Sequence, residues 1–384
     1  MAYPDAMRRP LAFLLLLVVV AGCTQAPPPT DGDLPRVDEA DPDEIAILAG
    51  DRDTIWELAF APDGRVFFTE RGGTIGVIAN GEAETWREMP QTVERGESGL
   101  MGLALHPDFE DEPWLYVCQT YRDGDDALRN RVARVPADDR EAVPEPVVRG
   151  IDASQIHDGC RLGFGPEGLL YVTMGDAADA SRAQDEGSRN GKVLAYTAEG
   201  EPAGAGEEGW HPAVFTMGHR NPQGLVFHPD TGTPYASEHG PENHDEVNRL
   251  REGANHGWPE VRGMDEGGGA YEPAVWTTGP DADENVAPAG AAFVDQPNSS
   301  LHGALLVATL KQAQLQVLEI DEADGEAEVV DEHVLFDERF GRLRAAVWED
   351  DALYVSTSNH DGRGTPGPTD DRILRIPLPA IEDG

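Results

Sequence analysis

Ionisable and polar side chains concentrate in a few segments that lie between predicted strands. One such segment begins at His157, in the run IHDGCRL, and ends at Asp176, in the run MGD, with a predicted strand pair between them. Because a hairpin returns the chain to the end at which it started, both residues are expected at the same end of that pair. A carboxylate beside an imidazole fixes its tautomer and raises its basicity, which suits a proton acceptor working near neutral pH.

Further segments of this kind follow along the chain. They read GHRNPQG (218–224), with Arg220 and Asn221, EHGPENHDE (238–246) and NHGWP (255–259). Lys311 and the Arg-Leu-Arg run at 342–344 add basic groups to a chain that has only 29 Lys and Arg. Each feature also has a plainer interpretation, because a lone loop histidine is usually a turn residue and charge runs are usually solvated.

A repeat indicates how these segments are positioned. An apolar-x-apolar run, a turn and an alternating strand recur six times, at intervals of 45 to 66 residues. The copies begin at Leu58, Leu103, Leu162, Leu225, Ala291 and Ala345. Such periods predict an all-β, six-bladed β-propeller with four-stranded antiparallel blades, whose loops on one face converge on the central channel. A last strand at 372–376 is expected to close the ring by pairing with 44–48.

The N-terminus reads as an export signal. Arg8 and Arg9 precede an apolar run at 11–21 that ends in Val-Ala-Gly-Cys. Residues 1–23 are therefore predicted to be a lipoprotein signal peptide, cleaved before a lipid-modified Cys23. Residues 24–44 read as a Pro-rich acidic tether, and residues 45–384 as the propeller. We expect attachment to a bacterial membrane by the lipid anchor only, with outer-membrane sorting on the periplasmic side suggested by resemblance.

The net charge limits the possible partners, and the cysteines allow a disulfide. Against the 29 basic residues stand 72 Asp and Glu, for a net charge of -43, which excludes nucleic acid as a partner and favours solubility in a saline habitat. Two cysteines remain in the predicted propeller, Cys118 and Cys160. An oxidising compartment permits a disulfide between them, and free buried thiols are an equal alternative.

Four ordered motifs carry a family resemblance. HxGxRLxFGPxGxLYVTxGD, GHRNPQG, EHGPxxxDExN and GANxGWP resemble the soluble aldose and glucose dehydrogenases that depend on pyrroloquinoline quinone (PQQ). The resemblance covers about residues 45–378 and is densest between His157 and Pro259. It implies that an aldose is oxidised at its C1 hydroxyl to a lactone, with PQQ and Ca²⁺, and that electrons pass to a periplasmic or respiratory acceptor.

The resemblance also implies roles for single residues. His157 matches the general base, Asp176 the carboxylate that orients it, and Arg220 a cation against the quinone oxygens, with Asn221 beside it. The binders of the PQQ carboxylates match Lys311, Arg342 and Arg344, since forked arginine donors suit carboxylates. The positions whose backbone carbonyls ligate a catalytic Ca²⁺ match Gly240 and Pro241, and a second, structural Ca²⁺ matches Glu246 and the backbone at His256.

One position departs from the family pattern. Glu97 stands where relatives have a glutamine near cofactor and sugar, so its charge bears on both substrate preference and PQQ binding. Trp276 and the stretch 277–288 are further candidates for sugar contacts. Two other functions are compatible with a propeller. A calcium-dependent lactonase-type hydrolase would need carboxylate, Asn and His ligands but no basic cluster. A non-catalytic binding propeller would need no oriented base.

Overall fold

Six sheets arranged in a ring make up the fold. The computed structural model describes residues 34–37, 40–281, 283–323 and 325–382, which contain 24 strands in six four-stranded antiparallel sheets. The protein is therefore an all-β, six-bladed β-propeller, as the repeat predicts. Each of the six repeat copies falls in or next to the first strand of a blade, and these inner strands pack against one another around the central axis.

The first strand of the chain, β1 (Ala46–Ala49), belongs to the last blade, and the following strands build the blades in chain order. Blade 1 has β2 (Ile55–Phe60), β3 (Val66–Glu70), β4 (Thr74–Ala79) and β5 (Glu82–Glu88). Blade 2 has β6 (Leu100–Leu105), β7 (Trp114–Arg122), β8 (Leu128–Pro136) and β9 (Glu145–Asp152). Blade 3 has β10 (Gly159–Phe164), β11 (Leu170–Met174), β12 (Lys192–Tyr196) and β13 (Val214–Met217).

The second half of the ring follows the same order. Blade 4 has β14 (Val226–Phe227), β15 (Pro234–Glu238), β16 (Glu246–Arg249) and β17 (Trp276–Thr277). Blade 5 has β18 (Pro288–Phe293), β19 (Ala304–Thr309), β20 (Leu315–Ala323) and β21 (Glu326–Leu335). Blade 6 has β22 (Leu343–Glu349), β23 (Ala352–Thr357), β24 (Ile373–Pro377) and β1. A 3₁₀ helix (Ala180–Gln184) and helix α1 (Leu378–Glu382) complete the described elements.

Blade 6 closes the ring with strands from both ends of the chain. Strand β1 pairs antiparallel with β24, with Ala46 opposite Arg375 and Ile47 opposite Leu374. The predicted closure is thus confirmed, with both strands displaced by one or two residues. Arg36, within the predicted tether, adds a parallel bridge to Ile47 at the outer edge of the blade. The division between tether and propeller near residue 44 stays a prediction.

Turn chemistry and packing between blades account for the regular repeat. In the first repeat, Gly64 takes a φ of +86° after Pro62 and Asp63, the positive φ that this hairpin turn requires. The apolar residues of one blade pack against those of the next, as Phe67 and Ile75 of blade 1 do against Leu115 of blade 2. No blade can bury both of its faces alone, so stability depends on the complete ring.

A disulfide joins two neighbouring blades. Cys118 in β7 bonds to Cys160 in β10, with Cα atoms 5.8 Å apart, and both residues are buried. The alternative that the sequence left open is therefore decided in favour of the disulfide. The cross-link fixes the start of the inner strand of blade 3 to blade 2, only three residues after His157.

Candidate active site

His157 and Asp176 meet at one end of the first hairpin of blade 3. Strands β10 and β11 pair with Gly159 opposite Met174, which brings the residues just outside the hairpin together. His157 Nδ1 lies 2.8 Å from Asp176 Oδ1, with the imidazole 14% and the carboxylate 2% exposed. A proton on Nδ1 shared with the carboxylate leaves Nε2 as the basic nitrogen.

Asp176 is itself held by a second set of donors. Trp258 Nε1 donates to Oδ2 at 3.0 Å, and the backbone N–H of Ala178 donates to Oδ1 at 2.9 Å. With every oxygen of the carboxylate engaged, its plane is fixed relative to His157. The sequence placed Trp258 within a motif but gave it no role, because a contact from blade 4 to blade 3 leaves no local signal.

The carboxylate of Glu97 contacts the backbone of His157, the candidate base. Its Oε2 accepts from the backbone N–H of His157 at 2.9 Å and from Asn221 Nδ2 at 3.1 Å. Burial alone would raise the pKa of Glu97, but His239, the His157 N–H and imidazole and Arg363 outweigh it and lower the pKa. The lowered pKa favours the carboxylate form of Glu97, and its Oε2 holds the backbone of His157, where φ is +61°.

Arg220 and Asn221 follow in the next loop. Arg220 Nη1 donates to the His239 carbonyl at 3.1 Å, and its guanidinium lies 5.5 Å from the centre of the Trp258 ring. Burial lowers the pKa of Arg220 while Asp176 and Glu238 oppose that shift, and a guanidinium keeps its charge under such conditions. Asn221 is fully buried, and its Oδ1 accepts from the backbone N–H of Gly159 at 3.2 Å.

Arg342 and Arg344 share a carboxylate that the sequence did not single out. Arg342 Nη2 lies 2.7 Å and Arg344 Nη2 3.5 Å from Asp361 Oδ2. Burial lowers the pKa of Arg344 to about 9, against the attraction of Asp361. The pKa of Asp361, which burial alone would raise, is held below its usual value chiefly by Arg342. A concentrated positive region therefore lies at the start of blade 6.

Arg363 connects this positive region to Glu97, and Lys311 lines the same cavity as Arg342 and Arg363. Lys311, Arg342 and Arg363 line one cavity of about 420 Å³, and the backbone N–H of Lys311 donates to the Val286 carbonyl at 2.9 Å. Arg363 Nη1 lies 3.7 Å from Glu97 Oε1. The predicted cofactor-binding residues thus form one continuous chain of neighbours, and Arg363 is a member that the sequence did not reveal.

The four predicted metal positions line a separate small cavity. Gly240, Pro241, Glu246 and His256 surround it together with Arg220 and Trp258. Glu246 accepts from the backbone N–H of Gly263 at 2.6 Å, and burial and the charge of Glu238 raise its pKa to about 8. Both ring nitrogens of His256 are buried without partners in the described structure, and so is Oδ1 of Asn248, whose Nδ2 donates to Glu246.

Comparison with known proteins assigns the family. The family model described as glucose/sorbosone dehydrogenase matches residues 52–374. The chain belongs to this family. A crystal structure of a glucose dehydrogenase-type oxidoreductase from Thermus thermophilus is 40% identical, covers 86% of this chain and 99% of that one, and gives a TM-score of 0.79. The PQQ-bound aldose sugar dehydrogenase of Streptomyces coelicolor is 32% identical over 88% of this chain and 99% of that one, with a TM-score of 0.76.

A curated relative matches part of the chain. Quinoprotein glucose dehydrogenase B of Acinetobacter calcoaceticus is 32% identical over 249 residues, which are 56% of this chain and 52% of that protein. The match therefore spans about half the length of that relative. Membership of the glucose/sorbosone dehydrogenase family, and the named oxidoreductases among the relatives, support a sugar-oxidising enzyme.

The N-terminus has a match of its own. Residues 7–24 match the prokaryotic membrane lipoprotein lipid attachment site, which supports export and lipid anchoring at Cys23. Cys23 lies outside the described residues. Across the part of the chain that the structure describes, no helix has the length and apolar character needed to span a bilayer. Sorting to the outer membrane stays a prediction.

The site has residues suited to both groups that the family resemblance implies, PQQ and Ca²⁺. Arg220, Lys311, Arg342 and Arg344 offer cations to a small polyanion such as PQQ, although Glu97 and Asp361 oppose part of that charge. Among the described residues, no three His, Cys, Asp or Glu side chains are grouped as a metal site. Backbone carbonyls such as those of Gly240 and Pro241 remain suitable for Ca²⁺, and unpartnered polar atoms beside Glu246 also fit a cation.

Proposed function

We propose that this protein is a PQQ- and calcium-dependent aldose dehydrogenase that oxidises the C1 hydroxyl of sugars to lactones. The observation that carries the proposal is the 2.8 Å contact between His157 Nδ1 and Asp176, next to Arg220 and Asn221. An oriented base beside buried cations matches what the removal of a proton and a hydride from one carbon requires. Membership of the glucose/sorbosone dehydrogenase family and the PQQ-bound relative from Streptomyces coelicolor support it.

His157 has the central role in the proposed reaction. When bound, PQQ would supply a two-electron acceptor for the hydride from C1, and Ca²⁺ would supply Lewis-acid polarisation. Nε2 of His157 takes the proton of the C1 hydroxyl as the carbon–oxygen double bond forms. Asp176 stabilises the resulting imidazolium, and Trp258 keeps the Asp176 carboxylate in place.

The other residues bind and orient. Arg220 opposes negative charge that develops on the acceptor, while Asn221 holds Glu97 and, through it, the backbone of His157. Lys311, Arg342 and Arg344 would bind the three cofactor carboxylates. The carbonyls of Gly240 and Pro241 would hold the catalytic Ca²⁺, and Glu246 with the His256 backbone a structural one. Electrons would then pass to a periplasmic or respiratory acceptor, near the outer membrane to which lipid on Cys23 anchors the enzyme.

The two rival functions have less support. A calcium lactonase has no need of a basic cluster, whereas here Arg342 and Arg344 share Asp361 and Arg363 lies beside Glu97. A binding propeller would have no use for the fixed His157–Asp176–Trp258 arrangement. The acidic surface, with a net charge of -43, also argues against nucleic acid.

Reconstitution tests the proposal directly. The full chain, purified in detergent and stripped with EDTA, is expected to reduce a dye with aldoses only after both PQQ and Ca²⁺ are added. Aldonolactone hydrolysis is measured in parallel with the same preparation. Dye reduction that needs neither addition, or lactone hydrolysis without sugar oxidation, would contradict the proposal.

Replacing Glu97 by glutamine should tighten PQQ binding about fivefold, or by about 1 kcal/mol, because a negative charge that faces a polyanion is removed. The glutamine oxygen can still accept from the His157 N–H and Asn221 Nδ2, so the loop geometry is retained. PQQ titration by absorbance at two salt concentrations measures the effect, which salt should reduce. Glu84→Gln, which alters a carboxylate paired with Arg140 in the outermost strand of blade 1, is the control and should change PQQ affinity little. Weaker binding in Glu97→Gln would mean that the carboxylate serves the cofactor site.

A further inference from the structure

Lys192 is a buried cation that the proposed reaction does not use. It has no exposed surface, and its ammonium group donates to three backbone carbonyls: Arg182 at 2.7 Å, Ala183 at 2.9 Å and Asn190 at 3.0 Å. No ion pair with a carboxylate is found for it within the described structure. A buried charge of this kind is costly unless every donor is satisfied, and here the three ammonium hydrogens meet three oxygens.

The three carbonyls belong to both limbs of one loop. Residues 177–191 leave β11 after Asp176, form the 3₁₀ helix Ala180–Gln184 and return to β12 at Lys192. Arg182 and Ala183 lie in the outgoing limb and Asn190 in the returning limb. The ammonium group therefore ties the two limbs together at the end of the 3₁₀ helix, where the Arg182 carbonyl also accepts from the backbone N–H of Asp185.

The loop held by Lys192 contacts the surroundings of Asp176 from two directions. At one side, Gln184 Nε2 donates to the Trp258 carbonyl at 2.7 Å, and the Trp258 indole in turn donates to Asp176. At the other side, the Ala183 carbonyl also accepts from the backbone N–H of Gly218 at 3.1 Å, two residues before Arg220. Asn190 Nδ2 adds a bond to the Gly175 carbonyl at 3.1 Å, beside Asp176.

We propose that Lys192 is a positioning residue whose ammonium group acts as an internal cation, holding the 177–191 loop so that Asp176 and Trp258 keep His157 correctly oriented. The loop has no large apolar core of its own, since Ala183 is its buried apolar residue within the 3₁₀ helix. Polar contacts, with the three bonds of Lys192 among them, therefore set its conformation. The catalytic part of this inference rests on the proposed function, whereas the anchoring of the loop does not.

Lys192→Met tests the proposal, because methionine has a similar length and no charge. Burial lowers the pKa of Lys192 to about 7, with Asp185 opposing the shift, so measurements are made at pH 6.5. We expect kcat to fall about 30-fold, since small displacements of a catalytic group are costly, while PQQ affinity stays within about threefold. In apo-protein, cleavage after Glu186 by a glutamate-specific protease should become at least about tenfold faster.

A spectroscopic measurement separates positioning from general stability. In ¹⁵N-histidine-labelled protein, the Nδ1 proton of His157, assigned by its absence in His157→Ala, should exchange faster in Lys192→Met. Arg189→Met is the matched control: it removes a cation that donates to two carbonyls, of Arg149 and Gly150, from the outer side of the same loop. This control should leave kcat and the His157 proton unchanged.

The outcomes separate this proposal from the proposed function. Lower thermal stability with an unchanged kcat and an unchanged His157 proton would overturn the positioning role. If Lys192→Met does not fold, Gln184→Ala, which breaks the link to Trp258, must lower kcat without loss of PQQ binding, or the proposal is wrong. If the wild type oxidises no aldose, the proposed function fails, and proteolysis and the His157 proton still decide whether Lys192 anchors the loop.

Discussion

His157→Ala is expected to lower kcat about a thousandfold while PQQ binding changes less than about threefold. A positioned general base contributes about 10²–10⁴ to the rate, and the alanine variant leaves Asp176 with no imidazole to orient. The imidazole makes its described polar contact with Asp176, and the backbone N–H that binds Glu97 remains after substitution. Stopped-flow dye reduction with saturating PQQ, Ca²⁺ and sugar measures kcat, and PQQ absorbance measures binding.

A second histidine–aspartate pair provides the control for this experiment. His302 Nε2 lies 3.0 Å from Asp230 at the protein surface, with the imidazole 20% exposed. His302→Ala therefore removes the same kind of contact outside the candidate site and should leave kcat unchanged. Asp176→Asn should reduce kcat by about a hundredfold, because an amide no longer stabilises the imidazolium. A His157→Ala variant that keeps most of its activity would show that another group takes the proton.

The fold and the His157–Asp176 pair were predictable from sequence for related reasons. The six repeat copies carry their turn residues with them, so the number of blades follows from counting. His157 and Asp176 flank a single hairpin, and their proximity needs only the pairing of β10 with β11. Closure by β1 and β24 was also predicted, although neither segment carries a signal for its partner.

Contacts between blades could not be predicted in this way. Trp258 reaches Asp176 from blade 4, at a separation where no periodic pattern applies. Asp361 is a different case, because it lies within blade 6 and flanks the β22–β23 hairpin together with Arg342 and Arg344. Their pairing therefore follows the same rule as His157 and Asp176, but the run around Asp361 was not singled out in the sequence. Trp276 is a candidate residue that the structure places outside the site. The sequence suggested it as a sugar contact, but its indole donates to Glu332 and it lies in β17, the outermost strand of blade 4, away from the channel.

The same limit applies to charge. Composition shows that the protein is strongly acidic, but it does not show that several of its few arginines converge at one end of the central channel. Arg344 feels the like charges of Arg71, Arg342 and Arg161, with Asp361 as the opposing carboxylate. Arg161 and Arg71 have carboxylates of their own, Glu57 and Glu94, whereas Arg342 and Arg344 share Asp361. An anionic ligand would relieve the repulsion between those two cations.

Arg344→Met should therefore raise the dissociation constant of PQQ about a hundredfold, or by about 3 kcal/mol, the loss expected when one partner of a buried charge pair is truncated. Arg344 is 5% exposed, and Arg342 would still occupy Asp361 after the change. Because a repulsive cation is removed, the thermal midpoint of the apo-protein should fall by less than about 2 °C. At saturating PQQ, kcat should stay within about threefold, since His157 and Asp176 are untouched.

Arg134→Met is the matched control for Arg344→Met. Arg134 pairs with Glu145 on blade 2 and lies over the Trp114 ring, so its removal also takes away one ion pair and one aromatic contact. PQQ titration and calorimetry on both variants separate binding from stability. If Arg344→Met lowered the thermal midpoint strongly and left PQQ affinity intact, Arg344 would be a structural residue that closes the channel beside Trp56 and Gln223. Carboxylate binding would then rest on Lys311 and Arg342, which line their own cavity near Glu97.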